Sequence, residues 1–238
     1  KETINTKIQK YIHEFMQYGG YPRVVLSDSN EEKRFVLENI YDTYLLREIK
    51  EIMQLSKDDQ LIKLLKALAL QIGNMLQYNE LAQISGFNFN TLKKYMYILE
   101  QTFICKRCLT FYTNKRLEIV KVPKIYFLDH GFRNQCAGDF LINEQQVGAF
   151  YENLVYSENL KKGIELKYWR TTSQAEVDFI KDERIPIEIK KRPKVTRAFQ
   201  SFIKKYQPEE GYVISEIEKE SIIKNGCKIH FLPFGKFI

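Results

Sequence analysis

The sequence predicts an α/β protein: an N-terminal helical segment, a winged-helix domain, and a C-terminal αβββαβ core with a mixed sheet. Three observations carry this. The first half places apolar residues at helical spacing. Between Leu61 and Thr102 a helix, a short helix, a turn and a longer helix follow one another ahead of two strand-like runs, the helix-turn-helix order. From Gly148 onward a helical pattern leads into short apolar runs that alternate with period two.

Residues 1–57 are the helical segment. Residues 4–18 carry a helical pattern that ends at Gly19-Gly20, where a left-handed cap is available, and Tyr21-Pro22 forces an extended exit. Ser29 with Glu32 reads as a capping box. The helix it opens runs to about Leu55 through Phe35, Ile40, Leu45, Ile49 and Ile52. Arg47 and Glu48 read as surface charges, and the segment carries no visible chemistry.

Residues 58–131 form the winged helix, with helices over Leu61–Ile72, Asn79–Ser85 and Thr91–Thr102. The runs Phe103–Tyr112 and Val122–Leu128, joined through Asn114-Lys115-Arg116, look like a wing. The third helix carries Lys93, Lys94 and Tyr95, and the wing adds Lys106, Arg107, Lys115, Arg116, Lys121 and Lys124. Such charge could neutralise phosphates without reading bases. It would equally solvate the face of a protein-binding module. Residues 132–145, in the polar, glycine-containing stretch Asp129–Gln145, read as a connection to the last domain, residues 146–238.

Three pieces of that domain form one constellation: Gly148-Ala-Phe-Tyr-Glu152, Glu176-Val-Asp178-Phe and Ile187-Glu188-Ile-Lys190. Asp178 and Glu188 stand in short apolar runs separated by Lys181-Asp-Glu-Arg184, which is polar enough to turn a hairpin. Because strand side chains alternate, Glu188 and Lys190 emerge on one face while Ile185, Ile187 and Ile189 pack on the other. Two hard carboxylates with a lysine beside them suit Mg²⁺-dependent phosphodiester hydrolysis. Glu152 joins them if its helix, with Val147, Phe150, Tyr151 and Leu154 at helical spacing, packs on the same sheet; Gly148 would permit a close approach. The same residues also suit ordinary cross-strand charge pairs. Lys190 also opens the basic run Lys190-Lys191-Arg192-Pro-Lys194, whose members could be phosphate contacts.

On these motifs residues 147–215 resemble the PD-(D/E)XK, or restriction-endonuclease-like, superfamily, although no proline precedes Asp178. The resemblance implies that Glu152 is the first-helix acid, Asp178 the central aspartate, Glu188 the second acid and Lys190 the lysine. Glu152, Asp178 and Glu188 would hold Mg²⁺ or Mn²⁺, with Gln200 a weaker correspondence. A second resemblance rests on Gly19-Gly20-Tyr21-Pro22, Tyr44-Leu-Leu-Arg47-Glu-Ile and Ile125-Tyr-Phe-Leu-Asp129-His-Gly131-Phe-Arg133-Asn. These are similar to the C-terminal region of a prokaryotic AAA-type ATPase family, in which an ATPase core precedes a winged helix and an endonuclease-like domain of undefined role. That implies an ATPase module in cis, with residues 1–57 the lid-side remainder of it. No Gly-x-x-x-x-Gly-Lys-[Ser/Thr] occurs, so ATP would bind only in that upstream module.

The net charge of +7 favours an anionic partner, and DNA is the one expected, contacted by Lys93, Lys94, Lys106, Arg107, Lys115, Arg116, Lys191 and Arg192. No apolar run reaches the length of a membrane span, since Leu61–Leu76 is interrupted by Lys63 and Lys66. With no signal peptide, a cytoplasmic location is expected. The chain opens on Lys1, not methionine, which predicts a fragment of a longer protein; oligomeric state is left open. Cys105-Lys-Arg-Cys108 has the start of a zinc-knuckle spacing but no second pair follows, which favours reduced, structural thiols. The expected function is a DNA-binding, Mg²⁺-dependent nuclease module of an ATPase, the competing class being a non-catalytic DNA- or protein-binding regulatory domain.

Overall fold

The computed structural model describes residues 4–54 and 59–238. The fold is mixed α/β and divides into two compact units, residues 1–107 with 125–143 and residues 108–124 with 144–238. The expected helix end near Leu55 and the boundary at 57/58 lie outside the described residues.

In the first unit, α1 (Ile4–Tyr18) ends where Gly19 takes φ +77°, as its two glycines predict. After α2 (Pro22–Val25), Ser29 caps α3 (Asn30–Ile40) by accepting from Glu32 N at 3.1 Å. The expected single helix does not simply continue. Residues Tyr41–Ile49 are π-helical before α4 (Lys50–Met53), so the 3.6-residue period used to extend the helix fails there. Arg47 and Glu48 are exposed, while Tyr44 donates its hydroxyl to Thr102 O at 2.8 Å.

Next come α5 (Asp59–Leu70), α6 (Tyr78–Ser85) and α7 (Phe89–Gln101), the expected three helices to within a few residues. Strands β1 (Cys105–Cys108) and β2 (Lys124–Phe127) pair, but each is shorter than the expected wing strand. Where a turn was expected at Asn114–Arg116 there is a helix, α8 (Lys115–Val120), because the Asn114 side chain caps it by accepting from Arg116 N. The stretch expected to be a connection contains α9 (His130–Ala137), in which Phe132, Arg133 and Asn134 are all buried.

Helix α9 seats the end of α1. Asp129 caps it by accepting from Phe132 N and also accepts from Gly20 N, both at 2.8 Å. Asn134 donates to Met16 O and Gln17 O, and Arg133 to Ala69 O at 2.7 Å. A Cβ on Gly131 would lie 1.9 Å from Tyr18 O, so only glycine permits this approach.

In the second unit, α10 (Val147–Lys161) precedes a six-stranded mixed sheet of order β3-β4-β5-β6-β8-β7. Its strands are β3 (Leu166–Arg170), β4 (Glu176–Lys181), β5 (Ile185–Ile189), β6 (Glu210–Ser215), β7 (Lys219–Lys224) and β8 (Cys227–Pro233). Helix α11 (Arg197–Tyr206) crosses between the parallel strands β5 and β6, and the short α12 (Phe234–Phe237) ends the chain. From α10 to β6 the order is the predicted αβββαβ. Phe199, Phe202 and Ile203 of α11 pack into one core with Ile180 and Val213, while Phe179, pointing the other way along β4, meets Tyr156 of α10. The central strands are thus covered on both faces, while the edge strand β7 is exposed. Gly148 has nothing within 4 Å of a built Cβ and is exposed, so its expected role in close helix packing does not hold.

Candidate functional site

The β4–β5 hairpin brings the first two carboxylates together. Its turn puts both Asp182 (φ +50°) and Glu183 (φ +56°) in the left-handed region, which matches the twist of a tight hairpin. The antiparallel register pairs Lys181 with Ile185, Ile180 with Pro186 and Phe179 with Ile187; carried one pair further it sets Asp178 opposite Glu188. Asp178 Oδ2 accepts from Ile189 N at 2.6 Å and from Lys190 Nζ at 3.3 Å, and Lys190 Nζ lies 3.0 Å from Glu188 Oε1. One ammonium therefore bridges the pair.

Glu188 is 2% exposed, and its Oε2 is buried with no hydrogen-bond partner from the protein. Burial, followed by the neighbouring Asp178 charge, raises its carboxyl to about 7, against the pull of Lys190 and the Thr196 hydroxyl. Burial alone would lower the Lys190 ammonium, but Asp178 and Glu188 outweigh it and hold Lys190 above its usual range.

A second half of the cluster forms around Lys124. Residues 109–111 run beside β3, with Tyr168 N donating to Leu109 O and Phe111 N to Tyr168 O. Glu118 of α8 fixes the same segment by accepting from Lys167 Nζ at 2.8 Å and Tyr112 N at 3.1 Å, and the Tyr168 hydroxyl donates to Val122 O. The chain thereby delivers Lys124, only 3% exposed, to Glu176 Oε1 at 2.5 Å and Glu152 Oε2 at 3.4 Å. Arg170 approaches Glu176 Oε2 at 3.4 Å. Burial works against the Lys124 charge, yet Glu152, Glu176 and Asp178 keep it well above the ordinary lysine range.

Glu176, Asp178 and Lys190 line a cleft of about 900 Å³ whose rim carries Lys194, Thr196 and Arg197. Thr196 caps α11 by accepting from Phe199 N at 3.1 Å. Four carboxylates facing Lys124 and Lys190 leave a formal excess of two negative charges, or one when Arg170 is counted.

Of the sequence-predicted residues, the structure brings Asp178, Glu188 and Lys190 together and places Glu152 on Lys124. Gln200 lies half-buried on α11. Among the basic residues, Lys93, Lys94, Arg116 and Arg192 are exposed, and Lys106 is half-buried. Arg107 forks onto Glu100, with Nε 2.9 Å from Oε1 and Nη2 2.6 Å from Oε2. Lys115 pairs with Glu183 and Glu118, and Lys191 with Glu144 at 3.0 Å. Tyr95, expected beside the basic residues of the third helix, is buried and donates to Met53 O at 3.2 Å. The reading of Lys124 as a wing lysine is overturned by its burial. Its signal was present: a lysine opening the wholly apolar run Ile125-Tyr-Phe is a candidate buried charge.

All four cysteines are free and buried, and burial pushes the Cys105 and Cys108 thiols well above their ordinary value. Among the described residues no group of three or more His, Cys, Asp and Glu side chains is arranged to hold a metal ion, and no helix is long and apolar enough to cross a membrane.

A family model described as "Domain of unknown function (DUF8612)" matches residues 9–141, and one described as "Domain of unknown function (DUF4143)" matches residues 147–237. An uncharacterized protein of Haemophilus influenzae is 28% identical over 190 residues, covering 73% of this chain and 43% of that protein. An uncharacterized protein of Methanocaldococcus jannaschii is 24% identical over 182 residues, covering 73% of this chain and 40% of its own length. The chain therefore spans less than half the length of these curated relatives. No solved structure matches.

Proposed function

We propose that this chain, which belongs to the family described as Domain of unknown function (DUF8612), is a DNA-binding, metal-dependent phosphodiesterase module of a longer protein. The observation that carries the reading is the buried, unpartnered Glu188 Oε2, joined through Lys190 to Asp178, which with Lys190, Lys194 and Arg197 lines the cleft. A buried carboxylate oxygen without a donor is costly, and a cation relieves it. The two carboxylates fit one Mg²⁺ or Mn²⁺, which when bound would polarise a phosphoryl oxygen and acidify a water.

The chain's own residues divide the remaining work. Asp178 is oriented by the Ile189 amide, so its carboxylate is fixed before any substrate arrives. Lys190 supplies a charge that can stabilise the developing negative charge on phosphate. Lys194 and Arg197 would hold the flanking phosphodiester backbone. The endonuclease-like reading of residues 147–215 and the winged-helix reading of α5, α6 and α7 belong to this proposal, as does attachment to an AAA-type ATPase that binds ATP upstream.

The test is single-turnover cleavage of supercoiled plasmid with Mg²⁺ or Mn²⁺, with binding followed in Ca²⁺. Lys190→Ala should keep DNA and metal binding but cleave at least about 10²-fold more slowly, since its contact strengthens in the transition state. Asp178→Ala should lose metal binding as well. A second reading, a non-catalytic regulatory domain, is favoured by Lys190 bridging the two carboxylates as an internal salt bridge. No metal-dependent cleavage of duplex, single-stranded or branched DNA, by this chain or by the longer protein with ATP, would put that reading in front.

A further inference from the structure

We infer that Lys124 is a resident cation filling the Glu152–Glu176 half of the carboxylate cluster, so that the site takes one divalent ion, at Asp178 and Glu188, and not two. The inference rests on the metal-dependent reading above. A lysine stem normally lets its ammonium reach water. Here the whole residue is 3% exposed and the ammonium contacts Glu176 at 2.5 Å and Glu152 at 3.4 Å. An ammonium is buried this way only when anions compensate it, and Glu176 and Glu152 supply them.

The two halves of the cluster each hold an ammonium but differ in two respects that decide where a divalent ion goes. Glu176 is occupied on both oxygens, Oε1 by Lys124 and Oε2 by Arg170. Glu188 keeps Oε2 unpartnered. A hard divalent cation needs free oxygen ligands, and it is repelled by an ammonium it cannot displace: Lys124 is enclosed, whereas Lys190, which also sits between two carboxylates, is about a third exposed at the cleft and can turn aside. Glu152 is then a positioning residue: it acts by holding Lys124, which in turn fixes Glu176 at the cleft wall.

The experiment is Mn²⁺ titration of the intact chain by calorimetry, with free Mn²⁺ counted by electron paramagnetic resonance. Wild type should bind one ion. Lys124→Ala vacates the second position and should bind two, and adding Glu176→Gln to that variant should return the count to one. Glu176→Gln alone should leave wild-type affinity within about threefold, because Glu176 is not a ligand. Two ions in wild type, no extra ion in Lys124→Ala, or a tenfold loss in Glu176→Gln would each overturn the inference. If wild type binds none and Lys124→Ala binds one, the resident cation stands and the Asp178–Glu188 metal reading fails. If Lys124→Ala folds only when Mn²⁺ is present, the ion has replaced the ammonium; if it folds under neither condition, the Glu176→Gln affinity and the wild-type count decide.

Discussion

Replacing Glu188 with glutamine should flatten the protein's loss of stability with rising pH. The fold holds this carboxyl at about 7 against an ordinary 4.5, so between those values the unfolded chain gives up a proton that the folded chain keeps. Stability then falls as pH rises, because the unfolded state binds fewer protons across that window. At roughly 1.4 kcal/mol per pH unit the full effect is about 3 kcal/mol, of which about 2 kcal/mol falls between pH 5 and 7.5. Glu188→Gln has the shape of the protonated acid and no charge to bury. Urea unfolding of both proteins at pH 5.0, 6.0 and 7.5 would measure the difference between their slopes. Parallel profiles would refute the burial argument. Saturating Mg²⁺ at pH 7.5 should restore wild-type stability and leave the variant unmoved; a restoration equal in both would separate ion binding from this carboxylate.

Lys93→Glu with Lys94→Glu should weaken DNA binding and reduce the slope of log affinity against log salt by on the order of 2, if both exposed ammoniums on α7 release counterions; an unchanged slope moves the DNA surface off α7 and favours a protein partner there. Gly131→Ala forces a Cβ to within 1.9 Å of Tyr18 O and should cost more than about 3 kcal/mol, read as a lowered urea midpoint. Gly148→Ala meets nothing within 4 Å on a helical backbone and should raise stability by about 0.5 kcal/mol, so a loss there would show that the first turn of α10 is packed differently.

The C-terminal core was legible because its signals are local. Alternation along Ile185–Ile189, a polar turn and a helical stripe are each decided within a few residues, and together they point to the αβββαβ order, to the shared face of Glu188 and Lys190, and to Asp178 across a hairpin from them. The three helices α5, α6 and α7 were legible for the same reason. The π-helical turn at Tyr41–Ile49 was not, because its apolar residues mimic an α-helical period over so short a length. Helix α8 carried its signal in Asn114 as a cap, but two flanking strand-like runs made a hairpin turn the simpler reading.

What no local pattern reveals is which charges are buried. Lys115, Lys121 and Lys124 occur within ten residues and look alike in sequence, yet Lys121 is exposed, Lys115 pairs across a surface turn and Lys124 is enclosed. The difference is made by residues far along the chain. Tyr168 pairs with the backbone of residues 109–111, Lys167 anchors Glu118, and only then do Glu152 and Glu176 converge on Lys124. An ammonium enters a core because anions from other elements meet it there, so its burial is a property of the assembled set rather than of the lysine. The same reasoning sets Lys124 apart from Lys190, which is about a third exposed at the cleft and remains free to meet a ligand on its open side. Of the two lysines embedded in this acidic cluster, the enclosed one is placed to hold the structure, and the open one is the one to which the proposed function assigns action on a bound phosphate.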